Sequence, residues 1–133
     1  MLKGRCLCGA IQYETSAAPR SQAACHCSIC RRASGASPVA WFTVPAESFR
    51  FTSGTPQQYR SSAHAIRQFC GSCGTQLTFQ FQRSLDEIDI TACSLDEPHQ
   101  AAPEAHIYAS SALEWASLAD GLPIYEESRP KST

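Results

Sequence analysis

The chain has 133 residues, 43% of them hydrophobic and 17% charged, a balance that fills a globular core and excludes general disorder. Eleven Lys and Arg stand against twelve Asp and Glu, a formal net charge of −1, so no broad positive field exists to gather phosphates and nucleic acid is excluded as the default partner. No charge block or low-complexity tract marks a linker, and residues 1–133 read as a single domain.

The first residues, Met1-Leu2-Lys3-Gly4-Arg5, run directly into Cys6-Leu7-Cys8-Gly9 without an apolar signal region. No apolar stretch is long enough to span a bilayer, so the expected compartment is the cytoplasm. Short segments of alternating or β-branched character then recur between Gly, Pro and Ser. They predict strands at 10–14, 39–44, 48–52, 57–61, 66–69, Gln76–Phe81, Glu87–Thr91 and 105–108, a mainly β fold. In the sixth, Leu77, Phe79 and Phe81 fall on alternate positions and should share one buried face. Residues 111–116, around Trp115, read as a short helix stopped by Gly121-Leu122-Pro123, and the tail after Glu126 as loose. Trp41, Phe42, Phe79, Phe81 and Trp115 are expected in the core.

Eight cysteines in a chain expected to stay in a reducing compartment call for metal ligation rather than a disulfide framework. Seven are clustered, as Cys6-Leu7-Cys8, Cys25-His26-Cys27-Ser28-Ile29-Cys30 and Cys70-Gly71-Ser72-Cys73, and Cys93 stands alone as a buried small residue without a role. A C-x-C pair on extended backbone sends both sulfurs to one side, and C-x-x-C does so across a tight turn that Gly71 and Gly74 allow. Two pairs give four sulfurs, enough for a closed tetrahedral zinc site assigned to Cys6, Cys8, Cys70 and Cys73. Spacing alone does not exclude that Cys6 and Cys8 join Cys25 and Cys27 instead. The central triplet has no fourth cysteine nearby, the arithmetic of a site with an open coordination position. That position suits binding a thiolate or polarising a carbonyl.

Three ordered clusters, Gly4-Arg5-Cys6-Leu7-Cys8-Gly9, Cys25 to Cys30 and Phe69-Cys70-Gly71-Ser72-Cys73-Gly74, resemble the glutathione-dependent formaldehyde-activating family. Ser94-Leu95-Asp96-Glu97-Pro98 and the segment from Pro103 to Trp115 add to the likeness, which spans most of the chain. The resemblance implies an Mss4-like zinc-binding β fold with short helical segments. It also implies one structural zinc on Cys6, Cys8, Cys70 and Cys73 and one catalytic zinc on Cys25, Cys27 and Cys30. The implied activity is that of a carbon–sulfur lyase or synthase, joining glutathione and formaldehyde into S-(hydroxymethyl)glutathione. A non-catalytic zinc-stabilised binding module is the alternative that the same fold allows.

His26, between two ligand cysteines, should point away from their metal, although it and His106 are the histidines that can complete a Cys3His site. His106 reads as an interior histidine, with a pocket-lining position as the alternative, and His64 and His99 read as surface residues. Arg31 and Arg32, next to the open cluster, are candidates to pair with a substrate carboxylate.

Overall fold

The computed structural model describes residues 1–130. Among these residues ten strands form two sheets. The smaller sheet joins β1 (Leu2–Arg5), β2 (Gln12–Thr15) and β5 (Phe49–Ser53), in that order. The larger holds β3 (Arg20–Cys25), β4 (Val39–Pro45), β6 (Gln57–Ser62), β7 (Ala65–Phe69), β8 (Gln76–Phe81), β9 (Glu87–Thr91) and β10 (His106–Ile107). Its order is β10-β3-β4-β9-β8-β7-β6, antiparallel throughout except where β10 runs parallel to β3.

Successive residues of β4 face opposite sides of the large sheet, which sorts the interior into two clusters. Phe42 and Val44 join Ile88, Ile90 and Leu77 against Tyr13 of the small sheet and Ile11 just before β2. Trp41 and Val39 face the other way, with Cys25 and Cys30, and Phe79, Ile107 and Tyr108 close this second cluster. Each face therefore carries one group of cysteines, Cys6 and Cys70 in the first cluster and Cys25 and Cys30 in the second.

The strands at 10–14, 39–44, 48–52, 57–61, 66–69 and 105–108 lie within a residue or two of the observed ones, and Gln76–Phe81 and Glu87–Thr91 coincide with them. Others differ. β1 and β3 went unread because their alternation is weak, and α1 (Ser28–Ser34) because seven residues make too few turns to show a 3.6-residue period. Residues 111–116 form no helix; a single 3-10 turn covers Ala109–Ser111, since so short a segment does not repay helix nucleation. Trp115 is accordingly 77% exposed instead of sitting in the core.

The shared face of Leu77, Phe79 and Phe81 also breaks. The register between β7 and β8 shifts at Gln68/Phe69, setting one extra residue against the partner strand, so Leu77 and Thr78 are both buried and Leu77 enters the first cluster. Phe81, at the strand end, is 47% exposed. The segment after β10 is pinned further than expected, since Tyr108 N–H donates to Glu127 O at 2.9 Å and Tyr125 N–H to His106 O at 2.9 Å. The last three residues of the tail read as loose, 131–133, lie outside the described residues. No helix among the described residues is long and apolar enough to cross a membrane.

Candidate metal centres and active site

The tetracysteine cluster is built from two turns that repeat one backbone design. After β1, Cys6 N–H donates to Ile11 O at 3.0 Å and Gly9 N–H to Cys6 O at 3.1 Å; after β7, Cys70 N–H donates to Thr75 O at 3.0 Å and Gly74 N–H to Cys70 O at 2.8 Å. Gly9 and Gly74 hold φ of +79° and +82°, the left-handed conformation that closes each loop. The Cys6–Cys8 pair thus sits on a turn and not on extended backbone, as its sequence spacing had implied. Leu7 N–H donates to Thr75 Oγ1 at 3.0 Å and ties the two turns together across 68 positions of sequence.

All four sulfurs lie within 4.8 Å of one another, with 3.6 Å between Cys6 and Cys8 and 3.8 Å between Cys8 and Cys70. A tetrahedral metal with bonds of about 2.3 Å sets its sulfurs about 3.8 Å apart, so this donor set can hold a metal ion and suits zinc. Donors surround the sulfurs: Ile11 N–H reaches Cys6 at 3.3 Å, and the N–H groups of Ser72 and Cys73 reach Cys70 at 3.4 Å. The Thr75 hydroxyl lies 3.3 Å from the Cys73 sulfur, and its hydroxyl and N–H bring that thiol down to about 5. Burial works against ionising Cys6, but the Ile11 N–H and the neighbouring sulfurs prevail and lower it.

Cys25, Cys27 and Cys30 meet at the junction of β3 and α1. Cys25 ends the strand, Cys27 caps the helix by accepting from Cys30 N–H at 3.2 Å, and Cys30 is the buried residue of the first turn. Gly35, at φ +71°, closes the helix with its N–H on Arg31 O. The three sulfurs lie within 4.8 Å of one another, 3.7 Å between Cys25 and Cys30. Among the described residues no fourth His, Cys, Asp or Glu joins the group. Beside it stands a cation, Arg67, whose Nη2 is 3.6 Å from the Cys30 sulfur. Cys25 and then Arg67 hold Cys30 down to about 5, while Cys25 is raised by the same pairing and by burial.

The two groups of sulfurs stay separate, which answers the alternative grouping: Cys6 and Cys8 meet Cys70 and Cys73, not Cys25 and Cys27. All eight cysteines are free, and Cys93 belongs to neither group. Cys93 is exposed, not buried, because the 3-10 turn Ala92–Ser94 directs its two neighbours inward and leaves it outward.

His26 is fully buried and turns from the triplet toward His106, with Nε2 and Nδ1 2.9 Å apart, and His106 Nε2 meets Asp120 at 2.9 Å. His26 N–H donates to Ile107 O at 3.0 Å, so backbone and side chain both clamp β3 to β10 directly behind the cluster. Leu122 N–H, then His106, hold the Asp120 carboxyl below its usual range. His64 and His99 are exposed, as expected. Arg31 reaches Ser111 O at 3.4 Å.

Arg67 and Tyr108 beside the triplet, and Asp120 behind it on His106, escaped sequence reading. Tyr108 packs on the cluster with its backbone at φ +54°, an unusual conformation for a residue with a large side chain. No local motif marks them; an arginine inside the half-apolar strand Ala65-Ile66-Arg67-Gln68-Phe69 was the one available signal.

A family profile described as glutathione-dependent formaldehyde-activating enzyme matches residues 1–111. An uncharacterized lyase of Schizosaccharomyces pombe is 31% identical over 97 residues, an alignment covering 68% of this chain and 65% of that protein. This chain thus spans less than two thirds of that relative. The crystal structure of a Rhodobacter sphaeroides protein has the same fold, with a TM-score of 0.59 at 23% identity over 92% of this chain and 98% of the other.

Proposed function

Because this chain belongs to the glutathione-dependent formaldehyde-activating enzyme family, we propose that it catalyses reversible addition of a thiol to an aldehyde at Cys25, Cys27 and Cys30, as in glutathione and formaldehyde giving S-(hydroxymethyl)glutathione. In the reverse direction it is a carbon–sulfur lyase, in keeping with the name of its yeast relative. Each cysteine group holds one zinc, structural on Cys6, Cys8, Cys70 and Cys73 and catalytic on the triplet. Eight free cysteines fit a reducing compartment, and we assign the protein to the cytoplasm.

The observation that carries the reading is a three-sulfur site without a fourth protein donor among the described residues, walled by Trp41, Phe79, Ile107 and Tyr108. A zinc ion bound there supplies Lewis acidity and favours the thiolate form of a thiol. The chain's own share is orientation and water exclusion. The His26–His106–Asp120 series fixes the strand end that presents Cys25 and Cys27, the apolar wall keeps water from the reacting atoms, and Arg67 offsets the negative charge left when three thiolates surround one divalent ion. In the addition, the thiolate sulfur bonds to the carbonyl carbon, the C=O π pair moves to oxygen, and water supplies the proton. Holding two reactants in attacking geometry is the main catalytic demand, since the intrinsic addition is easy.

The test is exchange between free formaldehyde and its glutathione adduct, followed by NMR with isotope-labelled formaldehyde. Zinc-loaded protein should accelerate exchange above the uncatalysed rate, and Cys27→Ser should lose the acceleration while keeping its fold and its tetracysteine metal. Exchange at the uncatalysed rate with fully loaded protein refutes the reading.

A further inference from the structure

The sheet face that carries the triplet also carries an acid. Trp41 and Thr43 of β4 lie two residues apart and so share that face, and register sets Asp89 of β9 opposite Thr43 on one side and opposite Phe79 of β8 on the other. Trp41 and Phe79 belong to the cluster around Cys25 and Cys30. Asp89 is therefore on the triplet's side of the sheet, next to one group of its apolar wall, and the Cys30 charge reaches its carboxyl.

A carboxylate taken out of water is costly unless a cation meets it. Among the described residues none pairs with Asp89: Arg20, opposite Thr43, is bound to Glu87 at 2.8 Å, and Arg67 of β7 is turned to Cys30. β4 and β8 face it with Thr43 and Phe79, which carry no charge. One neutral donor, Thr43 Oγ1, holds Oδ1 at 2.6 Å, while Oδ2 has no protein donor and stays open to water. Burial, then the charges of Glu87 and Cys30, raise the carboxyl to about 6, against the Thr43 bond and Arg20. In thiol addition to an aldehyde, the proton that the thiol gives up is the one that the carbonyl oxygen ends with. One group near the site that takes this proton and returns it is enough, provided that both of its forms are populated near the working pH.

We propose that Asp89 carries the proton of the thiol–aldehyde reaction, acting through a water on its open oxygen. In the addition, the thiol proton passes to the Asp89 carboxylate and leaves a thiolate. The sulfur pair then bonds to the carbonyl carbon, the C=O π pair moves to oxygen, and the water protonates that oxygen while the Asp89 carboxylic acid restores the water. In the lyase direction the carboxylate takes the hydroxyl proton of the adduct through the same water, the C=O bond re-forms and the C–S pair leaves on sulfur. The inference rests on the thiol–aldehyde reading above and adds the group that stores the proton behind the water named there.

Breakdown of the glutathione–formaldehyde adduct by the zinc-loaded full chain, measured as kcat against pH, tests it. In wild type kcat should rise through about pH 6, where carboxylate replaces acid, and then level. Asp89→Asn keeps the shape of the side chain and an oxygen for Thr43. It should lower kcat about a hundredfold, the low end for proton-transfer catalysis, with KM nearly unchanged, both zinc ions retained and the bend in the profile lost. Thr43→Val deletes the bond that lowers the carboxyl, so the bend should move to higher pH, a shift that a merely structural Asp89 would not produce. An unchanged kcat in Asp89→Asn, or a bend that persists in it, overturns the proposal. If Asp89→Asn loses metal or fold, Thr43→Val decides, and a bend that stays at its wild-type position overturns the proposal. Wild-type breakdown at the uncatalysed rate removes the thiol–aldehyde reading and this inference together, whereas wild-type catalysis that Asp89→Asn retains in full removes this inference alone.

Discussion

Replacing Thr75 by valine probes what holds the tetracysteine centre together. The swap keeps the shape of the side chain and deletes one hydroxyl, which accepts from Leu7 N–H at 3.0 Å and lies 3.3 Å from the Cys73 sulfur. The first bond joins two turns 68 residues apart, but Leu7 is 85% exposed, so water re-solvates its N–H and the loss falls at the low end for a hydrogen bond, about 0.5–1 kcal/mol. With an unfolding entropy of about 2 cal/mol/K per residue, each kcal/mol shifts the midpoint of a chain this size by roughly 3–4 °C, so Tm should fall about 2–4 °C. The second contact is the first cause of the lowered Cys73 thiol, and without it the metal should leave this site several-fold faster in excess chelator. Thermal unfolding read with a zinc-responsive dye measures both effects, and Thr75→Ser, which restores the hydroxyl, should recover wild-type behaviour. An unchanged Tm together with an unchanged release rate, or faster release from the three-cysteine site instead, would refute this account.

A chelator titration of the unaltered protein should remove one metal while the fold persists and the second only as the protein unfolds, because three ligands hold an ion more weakly than four; equal resistance of both ions favours a purely structural role for each. Burial pushes the Asp89 carboxyl up to about 6, against a hydrogen bond from Thr43 Oγ1 at 2.6 Å. A folded-state value above the unfolded one means stability present in acid and lost as pH rises, so wild type should lose about 1 kcal/mol relative to Asp89→Asn between about pH 5 and about pH 7 in urea titrations. A difference between the two proteins that stays flat with pH removes Asp89 from this role. Gly4→Ala places a methyl onto the buried Tyr13 hydroxyl, itself fixed to Ser94 Oγ at 2.6 Å, and 2.6 Å from Ser94 O. Overpacking of that kind should cost about 3 kcal/mol in denaturant unfolding, and a loss below about 1 kcal/mol would mean that the turn at Ala92–Ser94 yields freely.

Much of the chemistry was legible in the residues alone because cysteine is informative in few numbers. Three clusters with fixed spacings limited the sulfurs to one foursome and one triplet, and short alternating segments between Gly and Pro marked most strands of a mainly β fold. Both signals are local: a ligand pair two or three residues apart, or a side chain alternating with the next, follows from the geometry of a few peptide units.

What the tertiary structure decided depends on residues distant in sequence. Cys6 and Cys8 meet Cys70 and Cys73, and not the nearer Cys25 and Cys27, because pairing in the sheets brings the ends of β1 and β7 together and sends the β3–α1 junction to the opposite face. Arg67 reaches Cys30 across 37 positions, and His26 reaches His106 across 80. A single register shift at Gln68/Phe69 sets which way Leu77 faces. Spacing fixes the number of sulfurs offered to a metal, but the charge, walls and neighbours of a site arise from strand pairing, whose free energy is collected over the whole sheet and is written at no single position of the chain.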